Sequence, residues 1–152
     1  MGRVCADILT RGFQVQCGAQ SLPAIPATVS AAMRLYQGTP YDYSAAAHGL
    51  VFTAGACPLD EQGTVVAPGD FEAQALRTVE NLLAALEEHA LGPESLLKTT
   101  VFVVARERSD LVRVWDVVSS RLGRAPSTLL GVSLLGYPDQ LVEIEAIATI
   151  AP

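Results

Sequence analysis

The chain has 152 residues, half of them hydrophobic and only 17% charged, which excludes a largely disordered protein and supplies a core for one domain. Its net charge is −6 and its ten Lys and Arg residues are scattered, so nothing in it suits a nucleic-acid partner. Cys5, Cys17 and Cys57 form no CxxC pair, and His48 and His89 stand apart, so no metal site is expected; the odd, unclustered cysteine count points to a reducing compartment, the cytoplasm.

Residues 1–35 read as an irregular N-terminal extension punctuated by Gly12, Gly18, Pro23 and Pro26, ahead of a domain over 36–152. The stretch from Phe13 to Met33 is uncharged, but Gln14, Gln16, Gln20, Pro23 and Pro26 interrupt it, so no membrane partner is expected. No clean apolar run follows Arg11, as a cleavable signal would need. The regular pattern begins just after Met33, which makes that residue a candidate natural start.

Gln37 to Ser44 reads as a loop entering a strand. Leu50 to Ala56 is a short apolar strand; Cys57 to Gly63 turns, and Thr64 to Val66 returns as a hairpin arm. A helix follows Asp70, whose carboxylate can cap it. Val79, Leu82, Leu83, Leu86 and Ala90 form its apolar stripe, and Gly92-Pro93 is expected to end it. Leu96 to Val104 is a β-branched, mostly buried strand. A second helix is expected from an N-cap at Ser109, with Asp110 at the positive end of its dipole; Leu111, Val114, Trp115, Val118 and Leu122 repeat the stripe until Gly123.

Two strands close the chain, Ser127 to Val132 and Leu141 to Ala148. In the last, Val142, Ile144, Ala146, Ala148 and Ile150 alternate with Glu143, Glu145 and Thr149. Two carboxylates therefore share one face of a strand whose other face is apolar. They are either a solvated face or the lining of a cleft, where one of them could polarise a water. The element order is β-β-α-β-α-β-β, an α+β fold with two helices packed on one face of a mixed β-sheet. The sheet's other face needs a cover, and another subunit is the natural one.

Tyr43-Ser44, the run from Leu50 to Asp60, Asn81-Leu82, Lys98 to Val103 and Val142 to Ala148 together resemble the YjgF/RidA (Rid) family, also called endoribonuclease L-PSP. The resemblance runs from about Gly38 to Ile150, and the KTTVFV and VEIEAIA strands are specific in combination. It implies a chorismate-mutase-like fold, a homotrimer with small-molecule clefts between subunits, and hydrolysis of reactive 2-imino acids to 2-keto acids and ammonia with no cofactor.

Carried over position by position, the resemblance puts the family's pocket tyrosine on Tyr43 and the glutamate that positions the attacking water on Glu143. Glu145 would be an interface carboxylate. The arginine that grips a substrate carboxylate through two hydrogen bonds falls on Ser127, beside Thr128, and the second-helix asparagine falls on Trp115. The positions flanking the strand glycine are Ala54 and Ala56, followed by Cys57. Serine cannot replace a guanidinium as a clamp, so 2-imino acid deamination is disfavoured, and the small apolar lining suits a more neutral or aromatic ligand. Tyr43 and Glu143 are the expected catalytic residues, with Ser127, Thr128, Trp115, Ala54 and Cys57 as ligand-binding positions. Cys57, before a proline and without a paired histidine, is expected to be inert. The function expected is an imine or enamine hydrolase; the alternative is a non-catalytic ligand-binding or regulatory trimer. Ribonuclease activity is opposed by the acidity and the lack of a histidine pair.

Overall fold

The computed structural model describes residues 35–150; the proposed extension, apart from Leu35, and the start at Met33 lie outside them. The elements are β1 (Ser44–Ala47), β2 (Leu50–Thr53), α1 (Phe71–Glu87), a 3₁₀ turn at Pro93–Ser95, β3 (Leu96–Val103), α2 (Arg108–Leu122), β4 (Ser127–Gly131) and β5 (Val142–Thr149). The sheet order is β1-β2-β5-β3-β4. Every pairing is antiparallel except β3 with β4, which run parallel. A parallel neighbour needs a crossover, and α2 supplies it.

The hairpin is not where the residue pattern puts it. Its arms are β1 and β2, joined by His48 and Gly49 with φ of 53° and 77°. Positive φ at both turn residues matches the right-handed twist of the flanking strands. Val65, expected in a returning arm, makes only an isolated bridge to Leu59.

The alternation of β5 holds throughout: Val142, Ile144, Ala146 and Ala148 are buried, while Glu143 is half-buried and Glu145 exposed. The buried set packs with Val51 of β2 and with Val101 and Val103 of β3 against Val79, Leu82 and Leu86 of α1 and Val114 and Val118 of α2. Both helices therefore lie on one face. From the other face project Phe52, 45% exposed, and Leu130, 43% exposed.

Asp70 caps α1, its carboxylate accepting from the Ala73 N–H at 3.0 Å. The helix ends earlier than Gly92 suggests. Ala90 takes the left-handed conformation (φ 57°) and the Leu91 N–H closes back on the Leu86 carbonyl at 3.1 Å, while Gly92 is extended. The tight reversal onto the 3₁₀ turn falls two residues before the glycine that could have made it without strain. The cap of α2 is also displaced, from Ser109 to Glu107. Asp110 reaches back to accept from the N–H groups of Arg106 and Glu107 at 3.0 and 3.3 Å, which places Ser109 inside the first turn. Glu72 of α1 and Arg113 of α2 join the helices through two hydrogen bonds of 2.6 and 2.5 Å. That guanidinium holds the Glu72 carboxyl below its ordinary range. Among the described residues no helix is long and apolar enough to cross a membrane.

Candidate functional site

A break in the sheet creates the site. Phe52 pairs with Ile147, but the next bridge joins Ala56 to Ile144, so four steps on one side oppose three on the other. One residue is extra, a bulge between Thr53 and Ala56. The Thr53 hydroxyl accepts from the Ala146 N–H at 2.9 Å and so satisfies the donor that the bulge leaves without a backbone partner. The displaced Ala54-Gly55 segment floors a cavity of about 640 Å³ together with Cys57 and Glu143. Tyr41 and Tyr137 wall it, and Leu134, Leu135 and Gly136 form its rim.

Glycine at position 55 is required by contact. A methyl group there would collide with the Glu143 carboxylate, whose Cδ would lie only 2.7 Å away. Glu143 is therefore seated flush on the backbone of the bulge. Gln140, itself only 4% exposed, donates from Nε2 to Glu143 Oε2 at 3.0 Å. Its Oε1 accepts from the Tyr137 N–H at 3.0 Å, so one amide ties the turn that carries Tyr137 to the carboxylate across the cleft. Gln74, fully buried on α1, holds the same turn in place. Its Nε2 donates to the Asp139 carbonyl at 2.9 Å and its Oε1 accepts from the Leu141 N–H at 2.8 Å.

Cys57 Sγ lies 3.6 Å from Glu143 Oε2 and can only donate to it. Burial, then the Glu143 charge, push its pKa up to about 12. The thiol is therefore a donor rather than a nucleophile at neutral pH. Asn81 on α1 fixes this corner, donating to the Cys57 and Leu59 carbonyls at 2.8 and 2.9 Å. Burial and the neighbouring Tyr137 raise the pKa of Tyr41, so its ring faces the cleft as a neutral phenol.

The residues singled out from sequence separate into two groups. Glu143, Ala54 and Cys57 meet at the cleft. Tyr43 stands behind it, its hydroxyl donating to the Tyr36 carbonyl at 2.5 Å and its ring in a T-shaped contact with Tyr41, centroids 6.4 Å apart. Burial raises the pKa of the Tyr43 phenol. Ser127 and Thr128 lie on β4, where Ser127 Oγ pairs with the Thr99 hydroxyl and Thr128 Oγ1 accepts from Lys98 Nζ at 2.5 Å. Trp115 is partly buried against the core. Tyr41, Tyr137 and Gln140 were not identified from sequence. The one available signal was the Tyr41 to Tyr43 spacing, which puts two aromatics in one loop. Among the described residues no three His, Cys, Asp or Glu side chains gather as metal ligands would.

A five-stranded α+β sheet with a bulge-floored cleft and one seated carboxylate defines the structural class. The chain belongs to the Endoribonuclease L-PSP family, the YjgF/RidA proteins, which it matches over residues 32–150. A RutC family protein of Synechocystis is 35% identical over 114 residues, 73% of this chain and 86% of the relative. A RutC family protein of Pyrococcus abyssi is 30% identical over 110 residues, 72% and 85% of the two chains. Among solved structures, a Thermotoga maritima protein superposes with a TM-score of 0.68 at 30% identity, covering 77% of this chain and 91% of its own. A Rid family protein of Yersinia pestis superposes at 0.66 with 25% identity, covering 72% and 87%.

Proposed function

We propose that the chain is a RidA-like imine or enamine hydrolase of the cytoplasm, working as a homotrimer whose clefts lie between subunits. The observation that carries the hydrolase reading is the seating of Glu143, fixed by Gln140 against Gly55 on the cleft floor. A carboxylate fixed at one oxygen keeps the other for a water. As that water attacks the imine carbon, Glu143 takes one of its protons and passes it to the nitrogen. The tetrahedral carbinolamine then collapses. The C–N bond breaks, the hydroxyl proton goes to nitrogen, and ammonia leaves a carbonyl compound behind. Cys57 and Gln140 both donate to Glu143 Oε2 and hold that oxygen in place. Tyr43 supports the Tyr41 wall from behind and so helps to orient the substrate.

The trimer reading rests on the open sheet face. Phe52 and Leu130 are too large and too exposed there to be left uncovered without cost. A β4 strand from a neighbouring copy would bring Ser127 and Thr128 toward the cleft as ligand contacts. The second reading is a non-catalytic ligand-binding trimer. It is favoured by Ser127 itself, whose hydroxyl is already engaged by Thr99 and which offers no cation to a substrate.

The test is release of carbonyl product from imines generated in situ by amine and amino-acid oxidases, with semicarbazide competing for the imine, for wild type and Glu143→Ala. Acceleration by wild type that Glu143→Ala loses supports the hydrolase. No acceleration of any imine by a properly assembled protein leaves the binding reading. Light scattering at micromolar concentration should give three times the chain mass, and a monomer mass would overturn the trimer.

A further inference from the structure

We infer that the imine turned over in this cleft carries no carboxylate: it is the neutral or protonated imine formed when a primary amine is oxidised. The inference rests on the hydrolase reading and deepens it by naming the substrate class. Among the described residues that line the cavity, Glu143 is the one charged side chain. Its walls are the two tyrosines and its rim is aliphatic, with Leu134 81% exposed.

A second carboxylate brought beside Glu143 would meet a like charge and, among the described residues of one chain's share of the cleft, no compensating cation; the Lys98 ammonium beside Thr128 is already donating to that hydroxyl. The thiol of Cys57 and the amide of Gln140 are already committed to Glu143. Aromatic faces beside an anionic group suit the opposite ligand, a flat, apolar body ending in a protonated or polar C=N group. Ser127 adds to this, since its hydroxyl pairs with Thr99 rather than standing free as an anion donor.

The atoms balance without a co-reactant beyond water. An imine R–CH=NH and water give the aldehyde R–CHO and ammonia: the water oxygen becomes the carbonyl oxygen, the C–N bond breaks, and both water protons end on nitrogen. The reaction that supplies this substrate is the two-electron oxidation of a primary amine by an enzyme that releases its imine product. The reaction that must follow is one that removes an aldehyde.

The protein would be given two imines at matched oxidase flux. One is the benzylamine-derived imine released by a flavin amine oxidase; the other is the carboxylated imine released from alanine by an amino-acid oxidase. Carbonyl release is followed with wild type and Glu143→Gln. The expected result is acceleration of the benzylamine-derived imine at least about tenfold greater than that of the carboxylated one, lost in Glu143→Gln. Equal acceleration, or preference for the carboxylated imine, overturns the substrate class and leaves the hydrolase reading intact. Acceleration of neither overturns both. Binding gives a readout apart from turnover: wild type should be protected thermally by benzylammonium over phenylacetate, and Glu143→Gln should narrow that difference. Preference for phenylacetate would overturn the inference.

Discussion

Gly55→Ala isolates the seating of Glu143 from its mere presence. The added Cβ would lie 2.7 Å from Glu143 Cδ and 2.9 Å from its Cγ. Ordinary carbon contacts fall at about 3.5–4.0 Å, so the carboxylate must retreat by about 1 Å. Glu143 is half-buried, which leaves its carboxylate room to swing outward at the loss of its 3.0 Å bond from Gln140. A hydrogen bond to a charged group contributes about 1.5–3 kcal/mol, part of which water returns at a half-exposed site. The alanine also restricts the unfolded chain, which offsets about 0.4–1 kcal/mol. The net cost is about 1 kcal/mol, a fall in Tm of about 3 °C. A catalytic group misplaced by about 1 Å, by contrast, costs about a hundredfold in rate. The assay pairs a thermal melt with kcat/KM on whichever imine the wild type accelerates. Wild-type turnover in Gly55→Ala, with Glu143→Ala inactive, would refute the claim that flush seating on the bulge positions the water.

Three further outcomes follow from the same geometry. Asn81→Ala strips the side-chain donor from two carbonyls at the buried corner of the cleft and should lower stability by about 2–3 kcal/mol in urea unfolding; a loss below about 0.5 kcal/mol would show that the corner relaxes freely. Ala90→Gly should stabilise by about 0.5–1 kcal/mol, because Ala90 sits at φ 57° where glycine has no steric penalty, and a destabilised variant would contradict the cap geometry. Cys57 holds its proton in the native state up to about pH 12 whereas the unfolded thiol releases it near 9.0, so its contribution is fully present below pH 9 and declines as pH rises from there. Compared with Cys57→Ala, the wild type should therefore lose about 2 kcal/mol more between pH 8 and pH 10.5, and parallel pH profiles for the two proteins would refute this.

What the sequence made legible is what periodicity and composition encode. The β5 alternation placed Val142, Ile144, Ala146 and Ala148 inside and Glu143 and Glu145 out, and the structure has them so, because one buried face fixes the register of a strand. Both helix stripes were legible for the same reason, except at Ala90, which lies beyond the end of α1 and is exposed. The helix ends were not: Ala90 carries the left-handed turn that Gly92 advertises, and Glu107 with Asp110 caps α2 in place of Ser109. Caps are settled by where the chain must go next, and local composition only makes them easier or harder. The hairpin failed similarly, since the alanine run of β1 carries no alternation to mark it and only His48-Gly49 signals the turn.

The site was legible where it is one residue deep in the pattern and illegible where it depends on a register shift. Glu143 could be singled out because a carboxylate interrupts an apolar strand. The extra residue between Thr53 and Ala56 leaves no mark in composition, yet it sets Gly55 beneath that carboxylate. Gln140 and Gln74 read as ordinary loop and helix polars, but their burial at 4% and 0% shows amides fully committed to hydrogen bonds. Through them α1 holds the Tyr137 turn, and the turn holds Glu143. Loosening Gln74 should therefore displace the carboxylate and the Tyr137 wall together. The precision of the site thus belongs jointly to the α1–β5 interface, which fixes Gln140, and to the bulge, which seats the carboxylate on Gly55.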